Sequence, residues 1–178
     1  MKTHTVSASL LLLSLLFVVP FRATAADACQ PVNDALTKVI TTPHHVYMSE
    51  TAAYIPDGGK RHSELVSASN GKIYVQMQGK WRVSPETPAE QLQQHRENLA
   101  QGKTSCQPAG EESLNGEAAA IYKIHSQNED AQIDGRIWIS KGKGLPLRQE
   151  IDMDTGGSPG KSHREMRYDY ANVSPPSM

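Results

Sequence analysis

The chain has 178 residues, of which 38% are hydrophobic and 21% charged, with 18 basic and 19 acidic side chains and a formal net charge of −1. A length of this order suits a single domain. Near-neutrality argues against a nucleic-acid binder, which needs a basic stripe to meet phosphates.

In chain order, Lys2 precedes the apolar run from Leu10 to Val19, and Ala23, Thr24 and Ala25 supply small residues at a cleavage point. This is the pattern of a secretory signal peptide, which predicts a leader over 1–25 and one exported domain over 26–178. The run is about half of the ~20 apolar residues that a membrane-spanning helix needs, and no later stretch approaches that length, so no transmembrane segment is expected in the mature chain. Without Lys2 and Arg22 the mature chain keeps 16 basic against 19 acidic groups, a net charge of −3. Cys29 and Cys106 are the two cysteines, and in an oxidising compartment they are expected to pair. Acylation of Cys29 is the rival reading, although Asp27 and small alanines stand where a lipoprotein signal carries leucine and small uncharged residues.

The segment Pro31 to Ile40 places Val32, Leu36, Val39 and Ile40 at helical spacing, and Pro43 follows as a stop. Alternation from His44 to Tyr54 reads as a strand ending in the turn residues Pro56, Asp57, Gly58 and Gly59. The runs RHSELVSAS and KIYVQMQ flank Asn70 and Gly71, a pair typical of hairpin turns, and WRVSP reads as a further strand. Thr87, Pro88 and Glu90 then form a helix start of the capping-box type, with Leu92 and Leu99 as a thin apolar stripe. After the cysteine-bearing segment SCQPAGEE come four strand-like runs: EAAAIYKIHSQ, QIDGRIWIS, LPLRQEIDM and HREMRYDYANV. Turns are expected at 128–130, 142–144 and 156–161. The simplest assembly is α+β, a strongly curved antiparallel half-barrel of about seven to eight strands with two or three helices on its concave side.

No enzymatic signature is present: there is no Gly-x-Ser-x-Gly elbow and no phosphate-cradling loop, and no cofactor is expected. His44 and His45 are adjacent, so on a strand they point to opposite faces and do not chelate one ion together. The other histidines lack metal-ligand spacing, and no metal site is expected. Asp152 and Asp154 share a strand face but read as solvated acids. Trp81 and Trp138 sit in strand-like runs, where an indole is either core or the wall of a cavity. The period-2 spacing of Ile73, Val75, Met77, Ile121, Ile137 and Ile139 predicts that they turn inward together. Val75, Met77, Trp81, Ile121, Ile137 and Ile139 form the candidate cavity for an apolar ligand. Lys141, Lys143 and Arg148, at the tip between two apolar runs, read as the exposed rim of a hairpin.

The order of these motifs, with GKWRVSP, GEAAAIYKI, GRIWISKGKGLPLRQEID and the terminal RYDYANVSPP, resembles the LolA and LolB superfamily of lipoprotein-localisation factors, in particular a small uncharacterised periplasmic branch. The likeness covers roughly residues 74–176, and IWISKGKGLPLRQE carries most of it. The resemblance implies an unclosed half-barrel in the periplasm whose apolar concave face, lidded by helices, accepts lipid or lipoprotein acyl chains. It also implies a basic residue on an early strand that holds the lid, in the region of Lys60 and Arg61. Two functions are therefore expected to compete: a non-enzymatic binder of an apolar ligand, and an interaction or sensor module docking on an envelope protein.

Overall fold

A computed structural model describes residues 25–100, 104–127, 131–157 and 160–178. The expected leader up to residue 24, and the turn expected at 128–130, lie outside them. Helix α1 (Ala25–Thr41) begins earlier than its apolar periodicity predicts and runs through Pro31. The extra turn is tied down by Cys29, which is buried and disulfide-bonded to Cys106 across 77 residues of sequence. Cys29, Val32, Ala35, Leu36 and Val39 recur every three or four residues and form the packed stripe of this helix.

Nine strands follow: β1 (His44–Ala52), β2 (Lys60–Ser67), β3 (Ile73–Met77), β4 (Lys80–Val83), β5 (Thr104–Leu114), β6 (Glu117–Gln127), β7 (Gln132–Ser140), β8 (Pro146–Asp154) and β9 (Lys161–Asp169). Each pairs antiparallel with its neighbours in the order β4-β3-β2-β1-β9-β8-β7-β6-β5. Two meanders are thus joined by the β1–β9 ladder, and the sheet stays open between β4 and β5.

The count exceeds the seven to eight strands expected, and the addition is β5. Its sequence, TSCQPAGEESL, has no apolar alternation and contains Pro108 and Gly110, where the pairing with β6 shifts register. Proline is tolerated there because β5 is an edge strand, so one of its sides lacks a ladder partner in any case. The helices are fewer than the upper expectation: α1 and α3 (Pro88–Ala100) are the two of useful length, and α2 (Pro56–Gly59) is a single turn. In α3 the capping box forms as expected, with Thr87 N–H donating to Glu90 Oε2 at 2.7 Å and Glu90 N–H to Thr87 Oγ1 at 3.3 Å. No described helix is long and apolar enough to cross a membrane.

The Asn70–Gly71 turn forms between β2 and β3, with Gly71 at φ +74°. The β7–β8 hairpin closes through Ser140 N–H to Leu145 O at 2.9 Å. Its tip lysines are bound locally: Lys141 pairs with Glu111 at 2.7 Å and Lys143 with Glu117 at 2.9 Å. That is the behaviour of a rim.

Candidate functional site

Residues opposite one another in an antiparallel pair project to the same side, so the register divides the sheet into two unlike faces. On one of them α1 packs over β5, β7 and β8. There Cys29, Val32 and Ala35 meet Cys106, Ile137 and Ile139, with Leu36, Tyr122 and Ile124 at the margin. Ile137 is wholly buried, at 0% exposure, and removing a side chain of that size from water contributes about 1.5–3 kcal/mol.

Following the pairings outward from Ile137, the same face carries Ile151 and Met153 on β8, Met166 on β9, Met48 on β1, Leu65 on β2 and Val75 on β3. All six are only half-buried. The helix-covered face is therefore sealed at the β5–β8 end and lined with partly uncovered aliphatic and thioether groups across the rest. At its upper edge the buried His44 ring lies 6.1 Å from that of Tyr168. Burial lowers the His44 imidazole and pushes the Tyr168 phenol up to about 12, which leaves both uncharged at pH 7.

A polar cluster interrupts this face. Ile151, Arg164, Glu50 and Arg61 stand in one row across β8, β9, β1 and β2. Glu50 is 4% exposed and accepts hydrogen bonds from Arg164 Nη2 at 2.9 Å, from the Tyr54 hydroxyl at 2.8 Å and from Arg61 Nη2. Burial alone raises the carboxyl, but the bonds from Arg164, Tyr54 and Arg61 outweigh it and hold it at about 2.

The opposite face is wet and charged. Trp138 is buried there beneath Arg136 and Arg148, 5.6 and 5.1 Å from its ring, and its Nε1–H donates to Glu112 at 2.7 Å. His125, Asp134, Asp152 and His163 align in register across β6, β7, β8 and β9. His125 bonds Asp134 at 2.7 Å and His163 bonds Asp152 at 2.8 Å. Ser105, next in that row, directs its hydroxyl to the His125 carbonyl at 3.5 Å rather than to the imidazole.

The six cavity candidates thus divide. Ile137, Ile139, Val75 and Met77 lie on the helix-covered face, with Met77 58% exposed. The expectation that all share one face needs correction for Ile121 and Trp81: Ile121 pairs with Trp138, and Trp81 packs with Val66, Ala68, Tyr74 and Val173 on the opposite face. Three clefts of about 780, 540 and 800 Å³ touch none of the six residues. The first, at the ends of β1, β8 and β9, is lined in part by Ala52, Ile55, Met153 and Ser162, and each exceeds the ~300 Å³ at which small-molecule sites begin. The Glu50 cluster escaped sequence reasoning, though a signal existed: Val46, Met48 and Glu50 alternate onto one face, and a carboxylate in that company demands a partner.

The two joined meanders form an open antiparallel sheet that an N-terminal helix seals on one side. No family model matches the chain, and no curated protein does. Among solved structures, the lipoprotein LppX of Mycobacterium tuberculosis is similar over 85% of this chain and 99% of its own, at 10% identity and a TM-score of 0.51, a likeness of fold. MucB of Pseudomonas aeruginosa, in complex with MucA, aligns over 84% of this chain and 59% of its own at 15% identity and a TM-score of 0.49. A LolA superfamily protein of Nitrosomonas europaea aligns over 88% and 96% at 9% identity and a TM-score of 0.29.

Proposed function

We propose that the chain is an exported, non-enzymatic envelope protein of the periplasm that binds a lipid or another apolar ligand against the helix-covered face of its sheet. The observation that supports this is the band of Met48, Leu65, Val75, Ile151, Met153 and Met166, half-buried on the face whose other end α1 seals. A folded sheet gains by burying such groups, and a flexible, polarizable methionine surface adapts to chains of varied shape. Native mass spectrometry of the purified protein, with a fluorescent fatty acid as probe, tests the reading. Bound lipid or saturable probe binding is expected, and Ile151→Asp should abolish it while Cys29 and Cys106 still pair. Finding only the bare mass and no probe binding would sink the proposal.

One observation favours a second reading. The groove of about 800 Å³ sets Arg148, Glu165, Arg167 and Asp169 beside Met48 and Met166, a mixed charged and apolar surface suited to docking an envelope protein. Cross-linking in intact cells separates the two: a reproducible protein adduct through this groove supports docking, and an adduct-free, lipid-loaded protein excludes it.

A further inference from the structure

We propose that the ligand is an amphiphile whose anionic head, a carboxylate or phosphate on an apolar chain, is held by Arg61 and Arg164 in the middle of the methionine band; this rests on the lipid-binding reading above. The charge balance of the face points there. Over β1 to β4, β8 and β9, Glu50 is the one described carboxylate projecting to the helix-covered side, whereas Arg61, Lys80, Arg82 and Arg164 all project to it. At the cluster itself two guanidiniums share a single carboxylate, which leaves one positive charge without a partner of opposite sign.

The donors are also in surplus. A guanidinium carries five N–H groups, and Arg164 Nε is shut off from water with no acceptor among the described residues. Arg61 and Arg164 are 55% and 36% exposed, against 5% for the Glu50 side chain. The carboxylate thus anchors the two guanidiniums, and the donors within reach of a ligand are those on the exposed parts of Arg61 and Arg164, not the enclosed Arg164 Nε. Planar forks of this kind match carboxylate and phosphate oxygens.

The surroundings suit a chain attached to that head. On the same face Arg164 stands beside Ile151, with Met48 and Met166 in the row on one side and Ala52, Met153 and Ser162 in the row on the other.

The test is displacement of a neutral fluorescent probe, N-phenylnaphthylamine, from the protein with its Cys29–Cys106 disulfide intact, by oleate, dodecyl phosphate, oleyl alcohol and sodium phosphate. Oleate should displace the probe about tenfold more effectively than oleyl alcohol. That factor corresponds to ~1.4 kcal/mol, near the low end for a hydrogen bond to a charged group. Dodecyl phosphate should behave as oleate does, and sodium phosphate should not displace. Arg61→Gln, at a largely exposed position, should narrow the acid-to-alcohol ratio and leave the alcohol unchanged. Equal displacement by acid and alcohol in the unmodified protein would overturn the head-group assignment while leaving lipid binding intact, as would an unaltered ratio in Arg61→Gln. If the neutral probe and every amphiphile fail to bind, the lipid-binding reading falls as well.

Discussion

The Glu50 cluster makes acid stability a direct measure of how the helix-covered face is held. The Glu50 carboxyl sits at about 2 instead of its ordinary 4.5; its side chain is only 5% exposed, but Arg61 and Arg164, which hold it there, are 55% and 36% exposed, so solvent screening takes part of the effect. A folded-state value depressed below the unfolded one contributes stability in full above the unfolded value, and that stability is lost as pH falls from about 4.5 toward 2. The depression from 4.5 to about 2 sets an upper bound of about 3 kcal/mol, which screening at the exposed guanidiniums reduces. Urea unfolding followed by far-ultraviolet circular dichroism at pH 7, 5, 3 and 2, on the native chain and on Glu50→Gln, isolates the term, because the other carboxylates titrate in both. The native chain should lose about 1–3 kcal/mol more than the variant between pH 5 and 2. At pH 7 the variant should already be several kcal/mol weaker, since it leaves two guanidiniums beside a neutral amide. Parallel pH profiles would refute the reasoning and mean that Arg61 and Arg164 solvate Glu50 no better than water does.

Two further perturbations probe the scaffold. Reducing the disulfide, or replacing Cys29 and Cys106 together by serine, releases a loop closed across 77 residues. On the loop-entropy scale this costs about 4.5 kcal/mol, and a change in urea-unfolding free energy below about 1 kcal/mol would contradict it. Gly135→Ala should destabilise by about 1–3 kcal/mol through overpacking, because a Cβ there would meet the Glu150 carbonyl oxygen at 2.6 Å. A melting temperature unchanged by this substitution would show that β7 and β8 can part locally without cost.

Much of the fold is legible in the sequence where period and turn chemistry agree. QIDGRIWIS marks β7 residue for residue, and the Thr87–Glu90 capping box marks the start of α3. The failures have identifiable causes. β5 is held by its ladder to β6 and by Cys106, and neither leaves an alternating apolar trace in TSCQPAGEESL. The start of α1 is fixed by the same long-range disulfide, which overrides Pro31 as a boundary. Within the candidate site, alternation predicts which neighbours on a strand share a face but gives no relative phase between distant strands. Ile121 and Ile137 therefore look equivalent in sequence, although β6 and β7 pair so that Ile121 meets Trp138 and Tyr122 meets Ile137. Alternation with Val46 and Met48 marks Glu50 as a carboxylate in need of a partner, but the partners Arg61 and Arg164, like the pair His125–Asp134, are set in the cross-strand direction, which sequence spacing does not reveal.

The contrast between the two faces bears on where an apolar ligand can lie. On the side of Trp138, the rows across β6 to β9 are filled by ion pairs: Arg136 with Glu150 at 3.0 Å, Arg148 with Glu150 at 2.6 Å and with Glu165 at 3.4 Å. An acyl chain laid across them would strip water from several charges, at a cost that its own burial cannot match. On the side of Ile137 the only such obstacle on the central strands among the described residues is the Glu50 cluster, already neutralised except for one positive charge. Binding of a neutral hydrocarbon would have to skirt that charge, whereas an anionic amphiphile would complete it. On the proposal made above, Arg61 and Arg164 would therefore discriminate among lipids by head group, and the ratio of oleate to oleyl alcohol affinity tests that discrimination directly.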